Sequence, residues 1–166
     1  MTAATSPAPS AQAKAPRPWR PRRATPRDLA ALVALEAEFP TDRISRRAYR
    51  SLLQSPAAEV WVIPRPAARG SLAGSLVLLH RPGTRVARVY SVVATPALRR
   101  QGLATALYRR AAARAKRRGC ATLRLEVRQD NEPGQAIVLH LGYRPTGLRP
   151  AYYEDGTAAV RFALTL

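Results

Sequence analysis

Cysteine is nearly absent from this chain. Cys120 stands alone, so no internal disulfide can form, and the sequence neither needs nor reports an oxidising compartment. No run of 18 apolar residues occurs, which excludes a membrane-spanning helix. Aromatic residues make up only 6%, too few for a large aromatic ligand cage, while a hydrophobic share of 46% suits an ordinary packed core. Lysine is scarce as well. Of 28 basic residues only Lys14 and Lys116 are lysine, and against ten acids the arginines leave a formal net charge of +18. Arginines scattered among alanine and proline fit a compositional bias as well as a polyanion surface. They are not interleaved with aromatic residues as a base-stacking platform requires, which argues against nucleic acid as a partner. A length of 166 residues suits one domain with one core, plus a tail.

The tail is residues 1–18, rich in Thr, Ala, Ser and Pro and without a periodic apolar pattern. Such a stretch cannot bury enough surface to offset its ordering entropy, so disorder is expected there and a folded domain over 19–166. The tail also lacks the apolar segment of a secretory signal, so a cytoplasmic protein is expected. Past a short strand over Arg20 to Ala24, Thr25-Pro26-Arg27-Asp28 reads as a helix start, with Thr25 as N-cap and proline at the first helical position. Leu29, Leu32, Val33 and Leu35 carry that helix, and Ile44, Tyr49, Leu52 and Leu53 mark a second. Strand patterns follow at Val60 to Ile63, Leu72 to His80 and Val86 to Ala94, the last two joined by a turn at Arg81-Pro82-Gly83-Thr84. A long helix spans Gly102 to Arg118, with Leu103, Leu107, Ala111 and Ala115 inward and Arg109, Arg110, Arg114, Arg117 and Arg118 mainly outward. A strand at Thr122 to Val127, a helix opened by Asn131-Glu132-Pro133, and two final strands complete the order β-α-α-β-β-β-α-β-α-β-β. That order predicts an α/β fold, a mixed sheet with helices on its faces.

The segment richest in chemistry is Val92 to Ala104. An apolar strand enters a proline-bounded turn and then a basic, glycine-containing helix start at Arg99-Arg100-Gln101-Gly102. Such a turn aims unpaired backbone N–H groups and the positive end of a helix at one point, which suits a pyrophosphate. Gly102 and Ala104 present little or no side chain, so phosphate oxygens can approach the backbone closely.

Strand, Arg99-Arg100-Gln101-Gly102-Leu103-Ala104 and helix resemble the acetyl-CoA motif of the GNAT superfamily of N-acetyltransferases. The resemblance continues through Leu125-Glu126-Val127-Arg128, Asn131, Leu141-Gly142-Tyr143 and Tyr152-Tyr153-Glu154-Asp155-Gly156, covers about residues 19–166, and is closest to bacterial ribosomal-protein-alanine N-acetyltransferases and their relatives. It implies a sheet splayed between the strand ending at Ala94 and the strand ending at Val127. Acetyl-CoA would lie in the gap, its pantetheine paired with Val92, Val93 and Ala94 and its pyrophosphate over Arg99, Arg100, Gln101, Gly102, Leu103, Ala104 and Thr105. A β-bulge in the first of these strands would aim an N–H at the thioester carbonyl. Asn131 matches a cofactor-contacting position and reads equally well as a helix N-cap.

Amine acetylation calls for a base to deprotonate an ammonium. Glu126 matches the family's general-base glutamate; its alternative reading is a surface carboxylate paired with Arg124 or Arg128. The proton donor departs from the family pattern. Counted without gaps from Asn131 to Gly142, the usual tyrosine falls on Val138, and only a shifted match puts His140 in its place. Tyr152 and Tyr153 are candidate acceptor-site residues, with half-buried sheet-edge aromatics as the plain alternative. The expected acceptor is a peptide N-terminal amine, with a small-molecule amine as second choice and a non-catalytic acyl-CoA binder as a third reading. No metal and no membrane are expected to take part, and the protein is expected to be a monomer or homodimer.

Overall fold

The computed structural model describes residues 19–166; the tail expected over residues 1–18 lies outside the described residues. Eleven regular elements follow the anticipated order: β1 (Arg22–Arg23), α1 (Leu29–Glu36), α2 (Arg46–Gln54), β2 (Ala58–Pro64), β3 (Leu72–His80), β4 (Val86–Ala94), α3 (Leu103–Arg117), β5 (Thr122–Arg128), α4 (Glu132–His140), β6 (Arg144–Arg149) and β7 (Ala159–Thr165). One short 3₁₀ turn at Pro26–Asp28 leads into α1 and another at Pro96–Leu98 precedes α3. Asp28 accepts hydrogen bonds from the Thr25 amide at 2.8 Å and from Arg22, so the sequence signal for a helix entry corresponds to a real cap.

The seven strands form one sheet in the order β1-β2-β3-β4-β5-β7-β6. Every neighbouring pair is antiparallel except β4 and β5, which run parallel across the connection made by α3. Strand β7 inserts between β5 and β6, an arrangement that element order alone does not specify.

A separate apolar cluster packs on each face of the sheet. On one face Leu32, Leu35, Ile44 and Tyr49 from α1, α2 and their connection pack on Val60, Val62, Leu72 and Val77. On the other, Leu103, Leu107, Ala111 and Ala115 of α3 and Val138 of α4 pack on Ile63, Leu76, Leu78, Val89, Leu123 and Leu125. Leu107 is fully buried, worth about 1.5–3 kcal/mol by its transfer alone. It lies so close to β3 that a Cβ on Gly74 would stand 3.2 Å from its Cδ1 and 3.0 Å from the Val93 carbonyl oxygen. Glycine at position 74 therefore sets how near α3 comes to the sheet, and with it the position of the α3 N-terminus.

Two of the arginines expected on the outer face of α3 behave otherwise. Arg114 and Arg118 turn back onto Glu59 of β2 at 2.8 and 2.9 Å, joined by Arg23 at 2.8 Å. Glu59 is only 1% exposed. Burial acts to raise its pKa, but hydrogen bonds from Arg114 and Arg118 and the charge of Arg23 outweigh it and hold the carboxyl down to about 2. No helix among the described residues is long and apolar enough to cross a membrane.

Candidate functional site

The sheet opens where its one parallel pair ends. Strands β4 and β5 are in register only at Val86, Ala87 and Arg88 against Thr122, Leu123 and Arg124. Beyond that point β4 pairs only with β3, and β5 only with β7. The β4 edge from Val92 to Ala94 therefore borders a cleft, with Leu125 to Arg128 on the opposite wall. Within β4 the register against β3 slips by one residue. Val77 faces Ser91 while Leu78 faces Val89, so Tyr90 is the extra residue of a bulge. The expected splay and the expected bulge are both present.

At the head of this cleft the chain turns into α3. Thr95 is fixed by its amide on the Ala73 carbonyl at 2.9 Å and by its hydroxyl on Glu38 at 2.6 Å. The Trp19 indole donates to the Gln101 carbonyl at 2.6 Å and pins the other side of the turn. Arg100 and Gly102 both have positive φ, 62° and 79°. For arginine this conformation costs about 1–2 kcal/mol, so the surroundings must impose it. The first helical bond runs from the Ala106 amide to the Gly102 carbonyl, and no side chain among the described residues caps the helix. Amides of Leu103, Ala104 and Thr105 thus point out of the helix end with no acidic residue in the first turn. A Cβ at Gly102 would meet nothing within 4 Å among the described residues. This is open space in front of free donors, with Arg99 and Arg100 exposed beside it. Such a cradle fits a diphosphate.

Alternation along β5 sends Leu125 and Val127 into the α3 side and Glu126 to the other face. The Glu126 side chain is 11% exposed. Its partners are neither Arg124 nor Arg128, contrary to the alternative drawn from sequence. Arg88 of β4 donates through Nε to Oε2 at 2.9 Å, and Arg149 of β6 stands 3.8 Å from Oε1. Arg88 also donates from Nη2 to the Tyr152 hydroxyl at 2.5 Å, while its guanidinium lies over the Tyr90 ring at 5.6 Å. Tyr152 in turn has Arg149 over its ring at 4.9 Å. Arg88 and Arg149 escaped the sequence reading because their relevance depends on strand adjacency, which no local pattern encodes.

Arg128, two residues beyond Glu126 on β5 and opposite Ala159 of β7, holds the rim together. It reaches Asp42 in the α1–α2 connection at 3.0 Å, Asp130 at 3.1 Å, and Asp155 in the β6–β7 connection at 2.6 Å. Asp42 further accepts from the Glu154 amide at 3.3 Å. The guanidinium lies 4.7 Å over the Tyr153 ring, stacked edge-on against Tyr152 with centroids 5.0 Å apart. Burial, then the neighbouring Tyr152 hydroxyl, push the Tyr153 phenol up to about 12, so it stays a neutral hydrogen-bonding group near neutral pH. Hydrogen bonds from Arg128 and the Thr157 backbone keep Asp155 well below the usual carboxylate range.

The remaining candidates are placed as follows. Asn131 caps α4, its side-chain oxygen accepting from the Gly134 amide at 2.9 Å. Val138 is fully buried in the core beneath β5. His140 is the exposed last residue of α4, and no hydrogen bond or ion pair joins it to Glu126 among the described residues. Tyr108 and Tyr143 meet edge-to-face under the sheet at 6.2 Å, and the Tyr143 hydroxyl is buried without a partner. Among the described residues, no three His, Cys, Asp or Glu side chains gather to hold a metal ion.

This architecture matches known proteins. A family model described as the acetyltransferase (GNAT) family matches residues 29–143. A Bacillus subtilis (strain 168) protein named as a candidate ribosomal protein bS18-alanine N-acetyltransferase is 30% identical over 107 residues, covering 64% of this chain and 68% of its own. The crystal structure of the ribosomal-protein-S18-alanine N-acetyltransferase from Escherichia coli superposes with a TM-score of 0.76 at 26% identity, over 88% of this chain and 92% of that one. That of nourseothricin acetyltransferase gives 0.71 at 26%, over 89% and 98%. The chain therefore belongs to the acetyltransferase (GNAT) family and is an N-acetyltransferase.

Proposed function

We propose that this enzyme transfers the acetyl group of acetyl-CoA to the N-terminal amine of a polypeptide. The observation that carries the reading is the three-residue limit of the β4–β5 pairing, which leaves an unpaired strand edge leading to an uncapped helix N-terminus. Pantetheine amides are suited to that edge at Val92, Val93 and Ala94. The diphosphate is suited to the amides following Gly102, with Arg99, Arg100, Gln101, Leu103, Ala104 and Thr105 around it. An N–H re-aimed by the bulge at Tyr90 polarises the thioester carbonyl. Acetyl-CoA supplies the activated acetyl group, and the protein supplies position and proton handling.

On the acceptor side, Glu126 takes the proton released by the attacking amine, directly or through one water. Arg88 fixes Oε2 and leaves Oε1 as the oxygen turned toward Arg149. Tyr152 and Tyr153, where the α1–α2 and β6–β7 connections meet, are suited to line a slot for the peptide backbone. No side chain at position 138 can donate a proton. A thiol of pKa about 8.5 leaves tolerably as an anion, so transfer proceeds without a dedicated acid, at a cost of up to about 10²–10⁴-fold in rate. An N-terminal amine, with a pKa of about 8, is also far easier to deprotonate than a lysine amine of about 10.4.

The test is calorimetry with coenzyme A, followed by thiol-release turnover against a panel of peptides and small amines. We expect saturable coenzyme A binding that Gly102→Glu abolishes, with the fold retained by circular dichroism and a thermal midpoint lowered only by the about 1–2 kcal/mol strain of a side chain at positive φ, and turnover on peptides. Absence of binding, or identical binding by the Gly102→Glu protein, refutes the reading. Turnover on small amines alone would move the acceptor to that class.

A further inference from the structure

The face of the sheet that carries Glu126 is covered by helices over only half its width. Helices α1 and α2 pack against β2 and β3, and among the described residues no helix packs on β5, β7 and β6 from this side. The residues turned outward there follow from the registers. Arg88 lies directly beside Arg124, Glu126 beside Arg161, Arg144 beside Ala163, and Arg149 beside Ala159. Arg161 reaches sideways over β6, where a Cβ on Gly147 would come within 2.9 Å of its Nη2. Five arginines thus surround one carboxylate. Arg88 and Arg149 share Glu126, whereas Arg124, Arg144 and Arg161 are exposed and have no acidic partner among the described residues.

Such an arrangement works against folding. Like charges directly opposite one another in a ladder are destabilising, and Arg88 beside Arg124 is such a pair. The rim contrasts with it, since there a single arginine, Arg128, is met by three acids. Guanidinium groups left unmatched on a flat sheet face are suited to bidentate recognition of carboxylate or phosphate. The patch is continuous with the acceptor slot through Arg149, which touches both Glu126 and the Tyr152 ring. Any polypeptide whose N-terminus reaches Glu126 has its following residues within range of this face. Among the described residues, β5, β7 and β6 themselves place no aromatic side chain on this face, Phe162 being in the core on the other side, which favours carboxylates over stacked bases.

We propose that the arginine face of β5, β7 and β6 receives an acidic segment of the acceptor polypeptide, a few residues beyond the amine to be acetylated. This rests on the reading of Glu126 as the acceptor site. Two peptide series with the same first two residues, one carrying Asp and Glu and one Ser and Gln at positions 3–7, separate the two ideas. Fluorescence anisotropy measures peptide binding, and thiol release measures transfer. The acidic series is expected to bind more tightly and to show the lower KM. The double variant Arg124→Gln with Arg161→Gln should raise that KM about tenfold, the effect of two or three exposed ion pairs, with kcat and the KM for acetyl-CoA unchanged. The double variant Arg109→Gln with Arg117→Gln removes the same charge from α3 and should leave the acidic-peptide KM alone.

Acidic-peptide binding without transfer would keep the surface and refute the acceptor reading. Equal binding of both series, equal loss in the α3 variant, or tighter binding of a single-stranded RNA oligonucleotide that displaces the acidic peptide would each overturn the proposal.

Discussion

A carboxylate that takes a proton from an incoming amine has to be held in place and yet keep one oxygen for the work. Glu126 meets both demands, because Arg88 occupies Oε2 at 2.9 Å while Arg149 stays 3.8 Å from Oε1. Glu126→Gln keeps the size and an acceptor oxygen but cannot accept a proton. We expect kcat for peptide acetylation to fall about 10²-fold or more at neutral pH, with coenzyme A affinity by calorimetry unchanged. An unaltered rate would leave Glu126 as no more than the anchor of Arg88. At this scale the sequence was informative about residue type and uninformative about company. Alternation along Leu125-Glu126-Val127 puts the carboxylate opposite the core, but Arg88 lies 38 residues away and Tyr152 lies 64 residues from Arg88. Those partners exist only once strands are paired.

Elements were the most legible scale. Strands β3 and β4 have the ends that apolar patterning and the Arg81 to Thr84 turn suggest, and α3 runs from its glycine start nearly to its glycine stop at Gly119. Each is fixed locally, by periodicity and by turn chemistry. The insertion of β7 between β5 and β6 is not local, and neither is the way connections are tied. Arg128 joins the α1–α2 connection to the β6–β7 connection through Asp42 and Asp155. Its pairs are partly exposed, so Arg128→Ala should cost only about 1 kcal/mol of stability. The functional effect should be larger. We expect faster hydrogen exchange across residues 40–44 and 151–157 and a raised KM for the amine, with the KM for acetyl-CoA unchanged. Equal exchange in the two proteins would show that these connections are ordered by other contacts.

At the scale of the whole molecule, the ion cluster at Glu59 fastens α3 to β1 and to β2. Its partners at positions 23, 114 and 118 are scattered along the sequence, so only the folded chain reveals it. The nearby His80 is driven below its ordinary 6.5, first by burial and then by the charge of Arg118. Both groups have depressed folded pKa values, so the unfolded chain binds more protons as pH falls. The His80 contribution is present above 6.5 and is lost as pH drops below it. The Glu59 contribution is intact above 4.5 and disappears as pH falls toward about 2. The thermal midpoint should therefore decline in two stages on acidification from pH 7, and His80→Gln should remove the upper one. A flat profile down to pH 4.5 in the unsubstituted protein would contradict this.

The parallel seam between β4 and β5 is three residues long in a sheet of seven strands. Mechanically this makes two leaves bound along a short spine, one of β1 to β4 and one of β5, β7 and β6. A molecule slipped between the leaves stands in for the missing stitches, so occupancy should stiffen the sheet across its width and not merely fill a hole. The distance between the leaves then becomes a gauge, and the thickness of whatever lies between them is felt at Arg88, the last stitched residue, where the two halves share the carboxylate of Glu126.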